Sequence, residues 1–391
     1  MKVRSLPCFV LVELFIAALA SSHPSFAQEQ VSAKSLAAEL QPLVDSHSLA
    51  GAVMLVADKD KVLSLDAVGF RDIAAKKPMP PDAVFWIASQ SKPITGTALM
   101  ILVDEGKVRI EDPVEKYLPE FKDLWVAAEQ DKDHILLKRP HRAITVRDVM
   151  NHTSGLPFQS KLEHPTLDGM FLKDAVRSYA ITPLLFEPGS KYQYSNAGIN
   201  TAGRIIEVVS GMSYEDFMDQ RLFGPLGMKD TTFWPNDEQL SRLAKAYKPN
   251  TDKNGLEETA ISQLTYPLND RKRQPMPAGG LFSTAADVAR LCQMVLNRGE
   301  FHGKRILSEE AVATMTRKQT AEGLTGYGLG WSTGGDSFGH GGALSTNMTI
   351  DTKRGLFTVF LVQHAGFPGD GGKSHGIFKK AAEERFDAAK K

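Results

Sequence analysis

Segments with strand character stand at both ends of this chain, and a long stretch of helical character separates them. From Gly51 the text GAVMLVADKDKVLSLDAVGF gives two runs rich in β-branched and apolar residues around the polar turn Asp58-Lys59-Asp60-Lys61, a hairpin signal. Near the other end, short strands read around Tyr327 to Trp331, Ala343 to Ile350 and Leu356 to Gln363, the last two joined by Asp351-Thr352-Lys353-Arg354-Gly355. Between them, helical patterns broken by Pro/Gly loops run from 107 to about 270, for example Ala197 to Ser210 and Tyr214 to Leu222, and one more helix reads from Thr284 to Arg298. Terminal strands enclosing a helical middle predict one α/β unit whose sheet is assembled from both chain ends, with a mostly helical insertion. The α/β part is expected over about 28–106 and 275–391 and the helical part over about 107–274. The length would also suit two or three separate domains at roughly 150 residues each.

The first residues predict export. Lys2 and Arg4 precede an apolar run from Phe9 to Ala20, and Ser25-Phe26-Ala27 offers small residues where a signal peptidase reads. A signal peptide over 1–27 would leave a chain beginning at Gln28, periplasmic or secreted. The run is interrupted by Glu13 and falls short of the roughly 20 residues that span a bilayer, so no stable membrane insertion is expected after cleavage. Cys8 comes too early for a lipoprotein site, and cleavage would leave only Cys292, so no intramolecular disulfide is expected. Val288, Leu291 and Val295 share a helical face with Cys292, which predicts a buried thiol. With 46 Lys+Arg against 46 Asp+Glu the formal charge is zero, which argues against nucleic acid as a partner.

Three short patterns can carry chemistry. Ser89-Gln90-Ser91-Lys92 sets a hydroxyl and an amine three residues apart, on one face of a helix that Ile94, Ala98, Ile101 and Leu102 continue. Pro93 is tolerated there if Ser89 lies at the helix start, where N–H groups have no intrahelical acceptor. That start offers the serine a positive dipole end, and a desolvated lysine can serve as its base. Alone, the pattern recurs by chance about once in a chain this long. Tyr194-Ser195-Asn196 follows the Pro188-Gly189 turn and precedes a helix. A phenol beside a lysine ammonium can have its pKa pulled down and move protons, and an asparagine can hold a substrate carbonyl or the lysine. His340-Gly341-Gly342, just ahead of a strand, would let a substrate approach the backbone, with the N–H groups of Ala343 and Ser89 as an oxyanion hole. His364-Ala365-Gly366 has the same form and makes this the least specific of the three.

In their order and context these patterns resemble the penicillin-recognising serine hydrolases: class C β-lactamases, D-Ala-D-Ala peptidases and the carboxylesterases built on that fold. The resemblance spans nearly all of the chain after residue 27. It rests on FWIASQSKPITGTALMILVDEGKVRIEDPVEKYLPEF, ITVRDVMNHTSGLP, EPGSKYQYSNAGINTAGRIIE, PAGGLFSTAADVARL, YGLGW and FGHGGA. It implies a β-lactamase-like fold and an acyl-enzyme mechanism without cofactor or metal. Ser89 is then the acylated nucleophile, Lys92 its proton-abstracting or orienting partner, Tyr194 the shared acid/base and Asn196 a substrate-side hydrogen bonder. His340, Gly341 and Gly342 form the strand wall opposite. Tyr327 and Trp331 of the YGLGW block are candidates either to line the pocket or to fill the strand core.

One departure bears on substrate. Many β-lactamases of this family carry Lys-Thr-Gly where this chain has His340-Gly341-Gly342, and a histidine of ordinary pKa near 6.5 is mostly neutral at pH 7 and attracts a substrate carboxylate less. The expectation is therefore an exported serine hydrolase acting on small-molecule ester, β-lactam or D-amino peptide carbonyls, with esterase-like activity favoured. The alternatives are a β-lactamase or D-Ala-D-Ala peptidase proper, or a non-catalytic cell-wall or peptide-binding protein on the same fold. Gly335-Asp336-Ser337-Phe338-Gly339 and Gly372-Lys373-Ser374-His375-Gly376 match the nucleophile elbow of α/β-hydrolases, but neither has the strand, helix and downstream triad that the elbow needs.

Overall fold

The computed structural model describes residues 35–386; the signal-peptide reading of 1–27 lies outside them. The described residues open with helix α1 (Leu36–Asp45), started by Ser35, whose side chain accepts from Ala37 N, and it buries Leu36, Leu40, Leu43 and Val44 along one face. The predicted hairpin follows as β1 (Gly51–Asp58) and β2 (Val62–Asp72), with a short β3 (Lys77–Pro78). From the other end come β4 (Ser332–Gly334), β5 (Ser337–Gly341), β6 (Asn347–Asp351) and β7 (Leu356–Leu361). These seven strands form one antiparallel sheet in the order β4-β5-β6-β7-β1-β2-β3, closed at the junction of the two chain ends by Met54 opposite Phe360 and Leu55 opposite Val359.

The alternation along β1 shows why the sheet is covered on both faces. Ala52, Met54 and Val56 pack with Leu36, Leu40 and Phe378, the last from the helix Ser374–Phe386 that ends the described chain. Val53, Leu55 and Ala57 point the other way, into the main core with Val288, Leu291 and Cys292 of the helix Ala285–Leu296. A strand buried on both sides needs apolar residues at every position, and β1 has them up to Asp58. Helices, turns and short hairpins make up 88–316, among them α2 (Ser91–Asp104), α3 (Val146–Met150), α4 (Leu172–Ala180) and α5 (Asn196–Ser210). Helix α2 is buried almost all round, and Gly96 in it has room for no side chain, since a Cβ there would lie 2.2 Å from Leu329 O.

The sheet's far edge departs from expectation. Residues 327–331 form no strand, and the glycine-rich stretch from Ser337 to Gly341, unread as a strand in the sequence, pairs with neighbours on both sides. His340 therefore lies within a strand, and Ala343 lies in the turn after it. The cause is tertiary: Gly339 needs to be small because a Cβ would meet Met348 O at 2.1 Å, so low strand propensity is overruled by close pairing.

Candidate active site

Ser89 stands in a tight 3₁₀ turn, Ala88–Gln90, that leads into α2. Ala88 before it has a φ of +47°, a left-handed conformation that costs a residue with a Cβ about 1–3 kcal/mol. The strain is held by buried neighbours, with Ile87 N donating to Leu281 O at 3.0 Å, and it leaves Ser89 half-buried. Opposite, Gly342 permits the end of β5 to close on this segment: a Cβ on it would lie 2.5 Å from Ile87 O.

Lys92, one turn along α2, is fully buried. Its Nζ makes three contacts: Ser89 Oγ at 3.1 Å, Asn196 Oδ1 at 2.8 Å and the backbone oxygen of Ala278 at 2.7 Å. Burial drives its pKa well below the ordinary lysine value. A neutral amine has two N–H groups and one lone pair. Asn196 Oδ1 and Ala278 O can only accept, so they take the two N–H groups and the lone pair faces the Ser89 hydroxyl, which donates to it.

Tyr194 and Asn196 are set by one capping interaction. Ser195 is the N-cap of α5: its Oγ accepts from Gly198 N at 3.0 Å and donates to Pro157 O at 2.6 Å, which fixes the residues on either side. Phe158 O accepts from the N–H groups of Asn196 and Ala197. The Tyr194 ring lies beneath the Lys92 amine, 4.6 Å from Nζ to the ring centre, and its phenol hydrogen-bonds the Ser89 side chain. Burial raises the phenol's pKa above its usual value, and the bond with Ser89 only partly offsets this. This corrects the expectation of a lowered pKa, because Lys92 is itself desolvated and faces the ring's π surface rather than the oxygen. Asn196 holds the lysine, one of the two roles open to it: its Oδ1 is occupied by Lys92, which leaves the amide nitrogen to meet a substrate carbonyl.

His340 closes the opposite side, its ring 6.0 Å from that of Tyr194. Its Nδ1 donates to Gly341 O at 2.6 Å, so Nε2 accepts from Tyr327 Oη at 2.8 Å. Burial and the nearby Lys92 push its pKa down to about 3. Gly341 and Ala343 are exposed and Gly342 half-buried at this rim. Tyr327 is buried behind His340. Trp331 does not line the pocket: it is fully buried in the main core, edge-on to Phe338 at 5.5 Å. Its indole N–H has no partner, so Trp331→Phe loses ring volume but no hydrogen bond. We expect about 1–2 kcal/mol of lost stability in urea unfolding and a KM within twofold of wild type. A several-fold KM change would return Trp331 to the pocket.

Three participants escaped the sequence reading. Ala278 contributes only a backbone oxygen, which no side-chain pattern reveals. Phe158, 42% exposed, stacks near Tyr194 with ring centres 6.4 Å apart and forms an apolar lip. His152 lies between Tyr194 and Tyr327, 4.5 Å from each ring centre, with Nδ1 accepting from Ser195 N. Its position in the quoted ITVRDVMNHTSGLP block was the available signal. Among the described residues no group of three or more His, Cys, Asp or Glu is arranged to hold a metal ion, and no helix is long and apolar enough to cross a membrane.

A two-ended sheet with a Ser-x-x-Lys turn against the end of β5, faced by a tyrosine and an asparagine from a helical insertion, defines the class of β-lactamase-like serine enzymes. The comparison with known families agrees: residues 36–381 match the β-lactamase family, and the chain belongs to it. Protein Rv1367c of Mycobacterium tuberculosis is 31% identical over 369 residues, covering 84% of this chain and 89% of the relative. A Salmonella typhimurium protein provisionally named a D-alanyl-D-alanine carboxypeptidase is 28% identical, covering 72% of this chain and 69% of the relative. Among solved structures, EstCE1, described as a hydrolase with promiscuous acyltransferase activity, shares the fold at a TM-score of 0.74 with 24% identity, over 89% of this chain and 97% of that one. Simvastatin synthase from Aspergillus terreus does so at 0.75 with 20% identity, over 90% and 98%.

Proposed function

We propose that this protein hydrolyses small carboxylic esters through an acyl-enzyme on Ser89. The carrying observation is the Lys92 amine, fully buried with two acceptors for its N–H groups and the Ser89 hydroxyl at its third position. The Ser89 proton passes to Lys92 as Oγ bonds to the substrate carbonyl carbon. The oxyanion is met by the N–H groups of Ser89 and Ala343. Tyr194, kept protonated by burial, gives its proton to the leaving alcohol oxygen as the ester bond breaks and takes one from the Lys92 ammonium. Water then attacks the acyl carbon, losing its proton through the same pair, and Ser89 Oγ leaves with that proton. Lys92 and Tyr194 exchange one proton and titrate as a unit.

A neutral His340 supports esters over substrates with a carboxylate, since it offers that group no positive charge. Export to the periplasm or medium belongs to the same proposal and rests on residues 1–27, so N-terminal sequencing of the natural protein should begin at Gln28. The test of function is side-by-side turnover of short-chain p-nitrophenyl esters, a chromogenic cephalosporin and a D-Ala-D-Ala peptide, with mass mapping of a fluorophosphonate adduct. Fastest turnover on the esters with the adduct on Ser89 is expected. Faster cephalosporin or peptide turnover would favour a β-lactamase or peptidase, and absence of both label and turnover would favour a binding protein.

A further inference from the structure

The Lys92 amine depends on Ala278 O for one of its two acceptors, and a chain of hydrogen bonds holds Ala278 in place. Ala278 N–H donates to Asn200 Oδ1 at 3.0 Å. Asn200 Nδ2 donates to Tyr179 Oη at 3.0 Å, and Tyr179 O–H donates to Glu163 Oε1 at 2.7 Å. The second carboxylate oxygen of Glu163 accepts from Ser160 N at 2.7 Å. Asn200, Tyr179 and Glu163 are all buried, and the partners of Lys92 are Ser89, Asn196 and Ala278, so these three residues reach it only through Ala278. Asn196 and Asn200 lie one turn apart on α5, so one helix face addresses Lys92 directly and the residue that Lys92 donates to.

Every link runs in the same sense. Lys92 donates to Ala278, Ala278 to Asn200, Asn200 to Tyr179, and Tyr179 to a carboxylate. Through the Asn200 amide and the Tyr179 hydroxyl the bonds align head to tail and polarise one another, strengthened by ending on an anion, while Ala278, whose N–H and C=O belong to adjacent peptide groups, passes on position rather than polarisation. A carboxylate buried without such partners would cost several kcal/mol, so packing alone does not account for a glutamate here. Burial pushes this carboxyl above the usual range, and the bonds from Tyr179 and Ser160 oppose that. The loop that carries Glu163 also supplies Phe158 O to the start of α5, so the anchor and the helix it orients are joined at two points within the helix's first two turns.

We propose that Glu163, acting through Tyr179 and Asn200, is a positioning residue that fixes the Ala278 carbonyl and so aims the lone pair of Lys92 at Ser89. This rests on the hydrolase reading above. The experiment compares wild type, Ser89→Ala, Tyr179→Phe, Asn200→Ala and the Tyr179→Phe/Asn200→Ala double variant on p-nitrophenyl acetate, with folding followed by circular dichroism and thermal melting. Displacing a reacting group by a fraction of a bond length costs up to about 100-fold, so we expect kcat to fall about 10- to 100-fold in Asn200→Ala and somewhat less in Tyr179→Phe. KM should stay within about twofold, and the double variant should be no slower than Asn200→Ala, as for links in series. Tyr179→Phe removes a single oxygen and carries the test alone should Asn200→Ala not fold. Folded single variants with kcat within about twofold of wild type, a loss confined to KM, or losses that multiply in the double variant would overturn the chain while leaving the hydrolase reading intact. A wild type without Ser89-dependent turnover would overturn both.

Discussion

Replacing Lys92 by methionine is expected to lower kcat on p-nitrophenyl acetate by about 10³- to 10⁴-fold while the protein stays folded. Methionine matches the aliphatic stem and fills the same buried volume, so packing of α2 is kept and only the amine is lost. Ser89 then has no base, because Tyr194 remains protonated by burial and bonds the same hydroxyl. Nucleophile and base act as one unit, so Ser89→Ala with Lys92→Met should be no slower than Ser89→Ala alone. Stability separates this from a structural defect. Methionine leaves Asn196 Oδ1 and Ala278 O without a donor, at about 1–3 kcal/mol each. Against that, the folded wild type holds Lys92 far below its unfolded pKa of 10.5, so below pH 10.5 the unfolded chain binds a proton the folded one lacks. Wild-type stability in urea should therefore rise from pH 7 towards pH 10, and Lys92→Met should flatten that rise. A kcat within tenfold of wild type would remove Lys92 from proton transfer.

What could be read from the sequence was what depends on local geometry. A serine and a lysine three apart meet on any helix, and a serine N-cap sets Tyr194 and Asn196 on either side of itself whatever packs around it. The two-ended sheet was legible because β1 and β7 are apolar enough to be recognised separately. What failed depends on contacts distant in sequence. The β5 strand is built from SFGHG, where propensity points away from a strand and only pairing with β4 and β6 decides. Trp331 was open between pocket and core because alternation in YGLGW does not say which face is inside. Ala278 and the Glu163 chain draw their placement from partners on other elements, and His152 was marked only by the block it stands in.

Acid should weaken the fold through its buried histidines, and His340 gives the cleanest reading. Its pKa is about 3 in the folded protein against 6.5 for the free side chain, because burial and Lys92 both disfavour the charged ring. Below pH 6.5 the unfolded chain takes up a proton that the folded protein refuses until about pH 3, so this contribution is complete above pH 6.5 and is lost on acidification through that window. By pH 5 the loss should reach about 2 kcal/mol, a sizeable part of a typical 5–15 kcal/mol total. His152 and His364, the latter near 4, act in the same direction. Asp287, raised to about 6, acts in the opposite one, since its folded carboxyl binds a proton before the unfolded one does. Whole-protein curves mix these terms, and the difference between wild type and His340→Gln isolates one of them. In urea titrations that difference should move by about 2 kcal/mol between pH 7.5 and pH 5 in favour of the variant, because glutamine has no proton to take up. A difference independent of pH would mean that the imidazole already titrates normally at the rim. In that case a cation would be available there in mild acid to hold a substrate carboxylate, and the preference for uncharged esters should reverse as the pH falls.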